Sequence, residues 1–122
     1  MTTALVIDDN KQTMEALVNM LRFWDINARP ALGPGAAMTI LKEDLPEVVF
    51  LDLNMPGING FEILSFLKKE NRLANIPVIV VTSDDQQETR EHALKEGAHT
   101  VINKPVMLDV LEATLRDLGI IK

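Results

Sequence analysis

The stretch "VFLDLNMPG", residues 49–57, ends an apolar run in a carboxylate and then a turn. Val48, Val49, Phe50 and Leu51 follow one another without polar alternation, the pattern of a strand covered on both faces. Asp52 comes next, and Met55-Pro56-Gly57 breaks the chain. Burying an ionised carboxylate costs several kcal/mol unless something compensates it. The partners of Asp52 must therefore come from elsewhere in the sequence.

Outward from this strand, short apolar runs alternate with amphipathic segments. "TALVI" (3–7), "NARPAL" (27–32), "PVIVV" (77–81) and "HTVIN" (99–103) are the other expected strands. Between them, Met14, Leu17, Val18, Leu21 and Trp24 recur at helical spacing. Helices are also expected over 33–43, over 60–70 with Phe61, Leu64 and Leu67 on one face, and over 84–97 with Gly97 as C-cap. A last helix carries Met107, Val110, Leu111, Leu115 and Leu118 on one face. Five strand–helix units with no linker, repeat or low-complexity segment predict one α/β domain over 1–122. The expected architecture is a five-stranded parallel sheet of order 2-1-3-4-5 with helices on both faces, flavodoxin-like. That order puts Pro30 in an edge strand, where a missing N–H is tolerated.

Composition narrows the function classes. The 122 residues are 47% hydrophobic and include no cysteine, which excludes a disulfide framework and a thiolate zinc site. "MTTALVIDDN" lacks the basic and long apolar regions of a signal peptide, and no run reaches membrane-span length. A cytoplasmic protein without membrane insertion is expected. Twelve basic against eighteen acidic residues give a net charge of −6, which disfavours direct contact with nucleic acid.

In open α/β sheets, ligands bind beyond the carboxyl ends of the strands. Asp8 and Asp9 follow the first strand, Asp52 the third, Thr82 and Ser83 the fourth, and Lys104 and Pro105 the fifth. Taken singly, Asp8-Asp9 reads as a helix cap, Thr82 as a strand-end hydroxyl and Lys104 as a solvated lysine. Four strand ends carrying such groups on one rim point instead to a site. Neighbouring strands lie about 4.8 Å apart, so the Lys104 backbone is expected roughly 10 Å from Asp52, within reach of a lysine side chain. Clustered carboxylates raise one another's pKa, and a divalent cation removes that conflict. The hard oxygen donors select Mg²⁺ or Mn²⁺ over zinc or copper. Mg²⁺ commonly joins carboxylates to phosphate, which suggests phosphoryl chemistry with an aspartate nucleophile.

"VIDDN", "LDLNMPGINGFE", "VIVVTS" and "GAHTVINKPV", in this order and spacing, resemble the receiver domain of two-component response regulators, of the CheY-like type. The resemblance covers the whole chain. It implies that Asp52 is the phosphoacceptor and that Asp9 binds Mg²⁺ directly and Asp8 through water. It makes the backbone carbonyl of Asn54 a further ligand, Thr82 the hydroxyl that moves to the phosphoryl group, and Lys104 the essential ammonium. It also implies a cis peptide before Pro105. The expected donor is a phosphohistidine on a sensor histidine kinase or a histidine phosphotransfer protein, and the expected output is control of a downstream partner. Such a domain catalyses only its own phosphorylation and slow dephosphorylation.

One position departs from the family. Val101 stands where an aromatic side chain usually reports the position of the threonine, and the chain has no tyrosine. The switch is therefore expected to lie in the Thr82-Ser83 loop and the start of the fourth helix. Ala16, Met20 and Phe23 form a second stripe on the first helix, expected to extend the core, with docking of a phosphotransfer helix as the alternative. Two rival functions stand beside the receiver. A haloacid-dehalogenase-like phosphatase would need an acid where Asn54 stands and a late acidic pair. A pseudo-receiver used for docking would have lost one of the site residues. His92 and His99 are expected at the surface, away from the acidic cluster.

Overall fold

The computed structural model describes residues 2–122. Five parallel strands, β1 (Thr3–Ile7), β2 (Asn27–Ala31), β3 (Val48–Asp52), β4 (Val78–Thr82) and β5 (Thr100–Asn103), form one sheet of order β2-β1-β3-β4-β5. The helices between and after them are α1 (Lys11–Arg22), α2 (Pro34–Glu43), α3 (Gly60–Lys69), α4 (Gln87–Lys95) and α5 (Leu108–Asp117). This is the flavodoxin-like order expected from the sequence, with Pro30 in the edge strand β2.

Strand alternation sorts the core into two layers. Leu5, Ile7, Val49, Leu51, Val80 and Val101 face α2, α3 and α4, where Leu41, Leu64, Leu67 and Ala93 meet them. Val6, Val48, Phe50, Ile79, Val81 and Ile102 face α1 and α5, against Met14, Leu17, Leu21, Leu111 and Leu115. Phe50 and Leu51 each expose 1% or less, so both faces of β3 are covered. Full burial of each such side chain contributes about 1.5–3 kcal/mol.

Several boundaries and faces differ from expectation. Helix α4 begins at Gln87, not at Asp84. The Asp84 carboxylate accepts the Gln86 N–H at 2.9 Å and the Thr89 hydroxyl at 2.6 Å. Those bonds hold residues 84–86 in a turn that leads into the helix. Met107 lies outside α5 as its N-cap and is 57% exposed. Val110 is 43% exposed, because it sits a third of a turn from the buried stripe of Leu111 and Leu115. Phe61 is half-buried and stacks on His92 with ring centroids 4.0 Å apart, whereas Ile63 joins Leu64 and Leu67 in the core.

Helix α1 ends at Arg22, so Trp24 sits in the turn beyond it, edge-on to Phe23. Of the stripe Ala16, Met20 and Phe23, only the half-buried Met20 extends the core; Ala16 is exposed and Phe23 is 70% exposed. Sheet contact occupies the opposite face, through Met14, Leu17 and Leu21.

Two glycines have specific work. Gly97 follows α4 at φ +110° and turns the chain into β5, as expected of a C-cap. A Cβ at Gly60 would lie 2.7 Å from the Leu53 Cα, so only glycine lets α3 start against the exit of β3. That close approach fixes the loop carrying Asn54.

Candidate functional site

The site lies at the carboxyl ends of β1, β3, β4 and β5. Backbone register sets it: Ile7 pairs with Leu51, Asp52 with Val81, and Thr82 with Asn103. Asp8 and Asp52 are therefore carried side by side, with Lys104 one residue past its strand. Asp8 is 4% and Asp52 3% exposed, while Asp9 is exposed.

Lys104 is the partner that Asp52 needs. Its Nζ lies 3.4 Å from Asp52 Oδ2 and 3.3 Å from Asp8 Oδ2. The second oxygens are held by the backbone: Asn54 N–H donates to Asp52 Oδ1 and Asn10 N–H to Asp8 Oδ1, each at 2.9 Å. Asn10 caps α1 through the Thr13 N–H, so the cap falls to Asn10 rather than to Asp8 or Asp9. Burial raises the Asp52 pKa above its ordinary value and the nearby Asp8 raises it further; the Asn54 N–H and Lys104 pull it back.

Asp8, Asp9 and Asp52 each offer a carboxylate oxygen, and these atoms all lie within 4.8 Å of one another. Three carboxylates thus face one ammonium. The donors are hard oxygens with no imidazole or thiolate in the group, a set that fits Mg²⁺ or Mn²⁺.

Alternation puts Asp52 on the α1 and α5 side, with Val48 and Phe50, and Thr82 on the opposite side, with Val78 and Val80. Thr82 is fully buried, and its hydroxyl donates to the Asn54 side chain at 2.5 Å. The sequence marked Asn54 for its backbone; its side-chain contact joins residues 28 positions apart and had no local signal. Val101 is buried in the α4-side core, and its carbonyl accepts from Arg90 Nη1 at 2.9 Å. The Lys104–Pro105 peptide is cis. His92 and His99 are exposed, on α4 and just before β5, and His99 pairs with Asp117 at 2.7 Å.

A cavity of about 400 Å³ opens beside the acidic cluster. Asp8, Asp52 and Lys104 line one end of it, and Ala16, Leu17 and Met20 of α1, Phe50 and Val106 are among the residues lining the rest. The exposed stripe of α1 thus borders the site. Trp24 does not. It lies beyond the far end of the 12-residue helix α1, roughly 18 Å of helical rise from the end next to the site. Titration with Mg²⁺ is expected to leave Trp24 fluorescence nearly constant; strong saturable quenching that Asp9→Ala abolishes would contradict this placement.

The sheet order, the strand-end acids, the lysine and the threonine define a receiver fold. The chain belongs to the response regulator receiver domain family, whose sequence model matches residues 4–116. Protein PilH of Pseudomonas aeruginosa is 32% identical over 115 residues, covering 94% of this chain and 95% of PilH. Response regulator PleD of Caulobacter vibrioides is 31% identical over 114 residues, covering 93% of this chain but 25% of PleD. Among solved structures, the signal receiver domain of a DNA-binding response regulator from Colwellia psychrerythraea 34H superimposes with a TM-score of 0.91. The two are 31% identical, and the match covers 99% of this chain and 100% of that one. Among the described residues, no helix is long and apolar enough to cross a membrane.

Proposed function

We propose that this chain is the phosphoacceptor of a two-component phosphorelay, taking a phosphoryl group from a phosphohistidine onto Asp52. The observation that carries this reading is the pairing of a buried Asp52 with Lys104 at 3.4 Å, inside a cluster of three carboxylates. The Asp52 carboxylate forms the new O–P bond as the N–P bond of the donor breaks, and the departing imidazole takes its proton from solvent. Lys104 pairs with a phosphoryl oxygen, and the Thr82 hydroxyl donates to another. Asp8, Asp9, Asp52 and the backbone carbonyl of Asn54 would hold Mg²⁺, which supplies charge neutralisation at the transferring group when bound. Water later hydrolyses the acyl phosphate, so the chain catalyses only its own modification.

The donor is a histidine kinase or a histidine phosphotransfer protein. Ala16 and Met20 give the cavity beside Asp52 an apolar wall, suited to the apolar face of a partner helix that carries the phosphohistidine. The added charge and acceptor oxygens then shift an existing equilibrium toward a form that engages a downstream effector. Because Val101 has no ring to swing, the change is carried by Thr82, Ser83 and the turn before α4.

Incubation with phosphoramidate and Mg²⁺ tests the reading by intact mass. One phosphoryl adduct is expected, lost on chelation of Mg²⁺ and absent from Asp52→Asn. Persistent single-site labelling of Asp52→Asn would overturn the assignment.

A further inference from the structure

The Asn54 side chain has a role that its backbone does not explain. Its Oδ1 accepts from Thr82 Oγ1 at 2.5 Å, from Ser83 N at 3.0 Å and from Ser83 Oγ at 3.3 Å. A backbone N–H can only donate, which fixes the amide with its oxygen toward Ser83. The Thr82 hydroxyl is equally committed. Its oxygen accepts the Asp84 N–H at 3.0 Å, and its single proton goes to Asn54. A phosphoryl group presents acceptor oxygens to its neighbours. Thr82 can donate to it only by giving up Asn54. The amide oxygen of Asn54 and a phosphoryl oxygen on Asp52 therefore compete for one proton.

We propose that the Asn54 side chain is a latch that holds Thr82 and Ser83 in the unphosphorylated arrangement and sets how readily Thr82 turns to the phosphoryl group. Asn54 is thus a positioning residue acting through Thr82, and its latch role rests on the reading of Asp52 as phosphoacceptor. Asp84 carries the release outward. Its N–H is bonded to the Thr82 hydroxyl, its carboxylate to Gln86 and Thr89 at the start of α4, and its carbonyl to Asn103 Nδ2 of β5 at 2.9 Å. When Thr82 moves, one residue feels it and holds both α4 and β5.

The test is beryllofluoride, a non-covalent phosphoryl mimic that cannot hydrolyse, titrated at saturating Mg²⁺ and followed by amide NMR. Asn54 is exposed, so its truncation leaves the core intact. Asn54→Ala is expected to bind beryllofluoride about five- to tenfold more tightly, the worth of one hydrogen bond between neutral groups. The Ser83 and Asp84 amide resonances of the ligand-free variant should move part-way to their bound positions. In a Thr82→Ala background the gain should vanish, since the latch acts through that hydroxyl. Asn54→Ser repeats the series with a side chain too short to reach Thr82. Unchanged or weaker binding by folded Asn54 variants overturns the latch, as does a gain that survives without the Thr82 hydroxyl. Failure of the unaltered protein to bind beryllofluoride overturns the phosphoacceptor reading itself, and the latch with it.

Discussion

Lys104→Ala is expected to lower the stability of the metal-free protein by about 2–4 kcal/mol, because it leaves two buried carboxylates without their cation. For a domain of this size that is roughly a 10 °C fall in thermal midpoint. Asp8 and Asp52 would retain their backbone N–H donors, but the ammonium now 3.3 and 3.4 Å from them would be gone. Mg²⁺ binding to the folded state alone should restore much of the loss, by mass action and by supplying the missing charge. The pH dependence has a definite sign. The Asp52 carboxyl titrates above its ordinary value, chiefly through burial. As pH falls through that raised pKa the uncompensated charge disappears, so the deficit shrinks in acid and is largest at neutral pH. Thermal melts with chelator and with Mg²⁺, at neutral and acidic pH, measure this. A deficit equal in all four conditions would mean that the Lys104 stem acts by packing instead.

Asp52→Asn is expected to move stability the other way. A carboxyl whose pKa is raised by folding binds its proton more tightly in the native state. The stability linked to that proton is fully present below the ordinary value of 3.8 and is lost as pH rises through the native pKa. At neutral pH the ionised Asp52 is therefore a net cost, one that an amide of the same shape does not carry. The variant should gain about 0.5–2 kcal/mol in chelator, the usual scale when a functional strain is removed. Lys104 keeps Asp8 as its partner in that variant. The gain should fade in acid, where the native Asp52 is itself protonated. A loss of stability at neutral pH would show that the Lys104 pair outweighs the burial of Asp52.

The fold was legible because its strands are continuous apolar runs. Such runs must be buried on both faces, and five of them alternating with helices leave few arrangements. Asp8, Asp52, Thr82 and Lys104 were legible for a related reason: each stands where an apolar run stops, and parallel strands stop on the same edge. Other features depend on contacts remote in sequence. Periodicity starts α4 three residues early, because Asp84 engages Gln86 and Thr89 through its side chain and holds 84–86 outside the helix. Spacing groups Ala16 and Phe23 with Met20 because it gives the residues that share a face, not what covers them; only Met20 reaches the core. Spacing groups Val110 with Leu111, yet of the two only Leu111 meets the sheet. The bonds from the Asn54 side chain to Thr82 and Ser83 span 28 and 29 positions, and only the folded sheet brings them together.

A phosphoryl group on Asp52, as proposed, leaves a chemical record that can be read directly. Borohydride reduces an acyl phosphate of aspartate to homoserine, and tandem mass spectrometry then places that residue in the sequence. After treatment with phosphoramidate and Mg²⁺, homoserine at position 52 and at no other aspartate is the expected result. Homoserine at position 8 or 9, or a phosphoryl group recovered on His92 or His99 with position 52 unmodified, would contradict it.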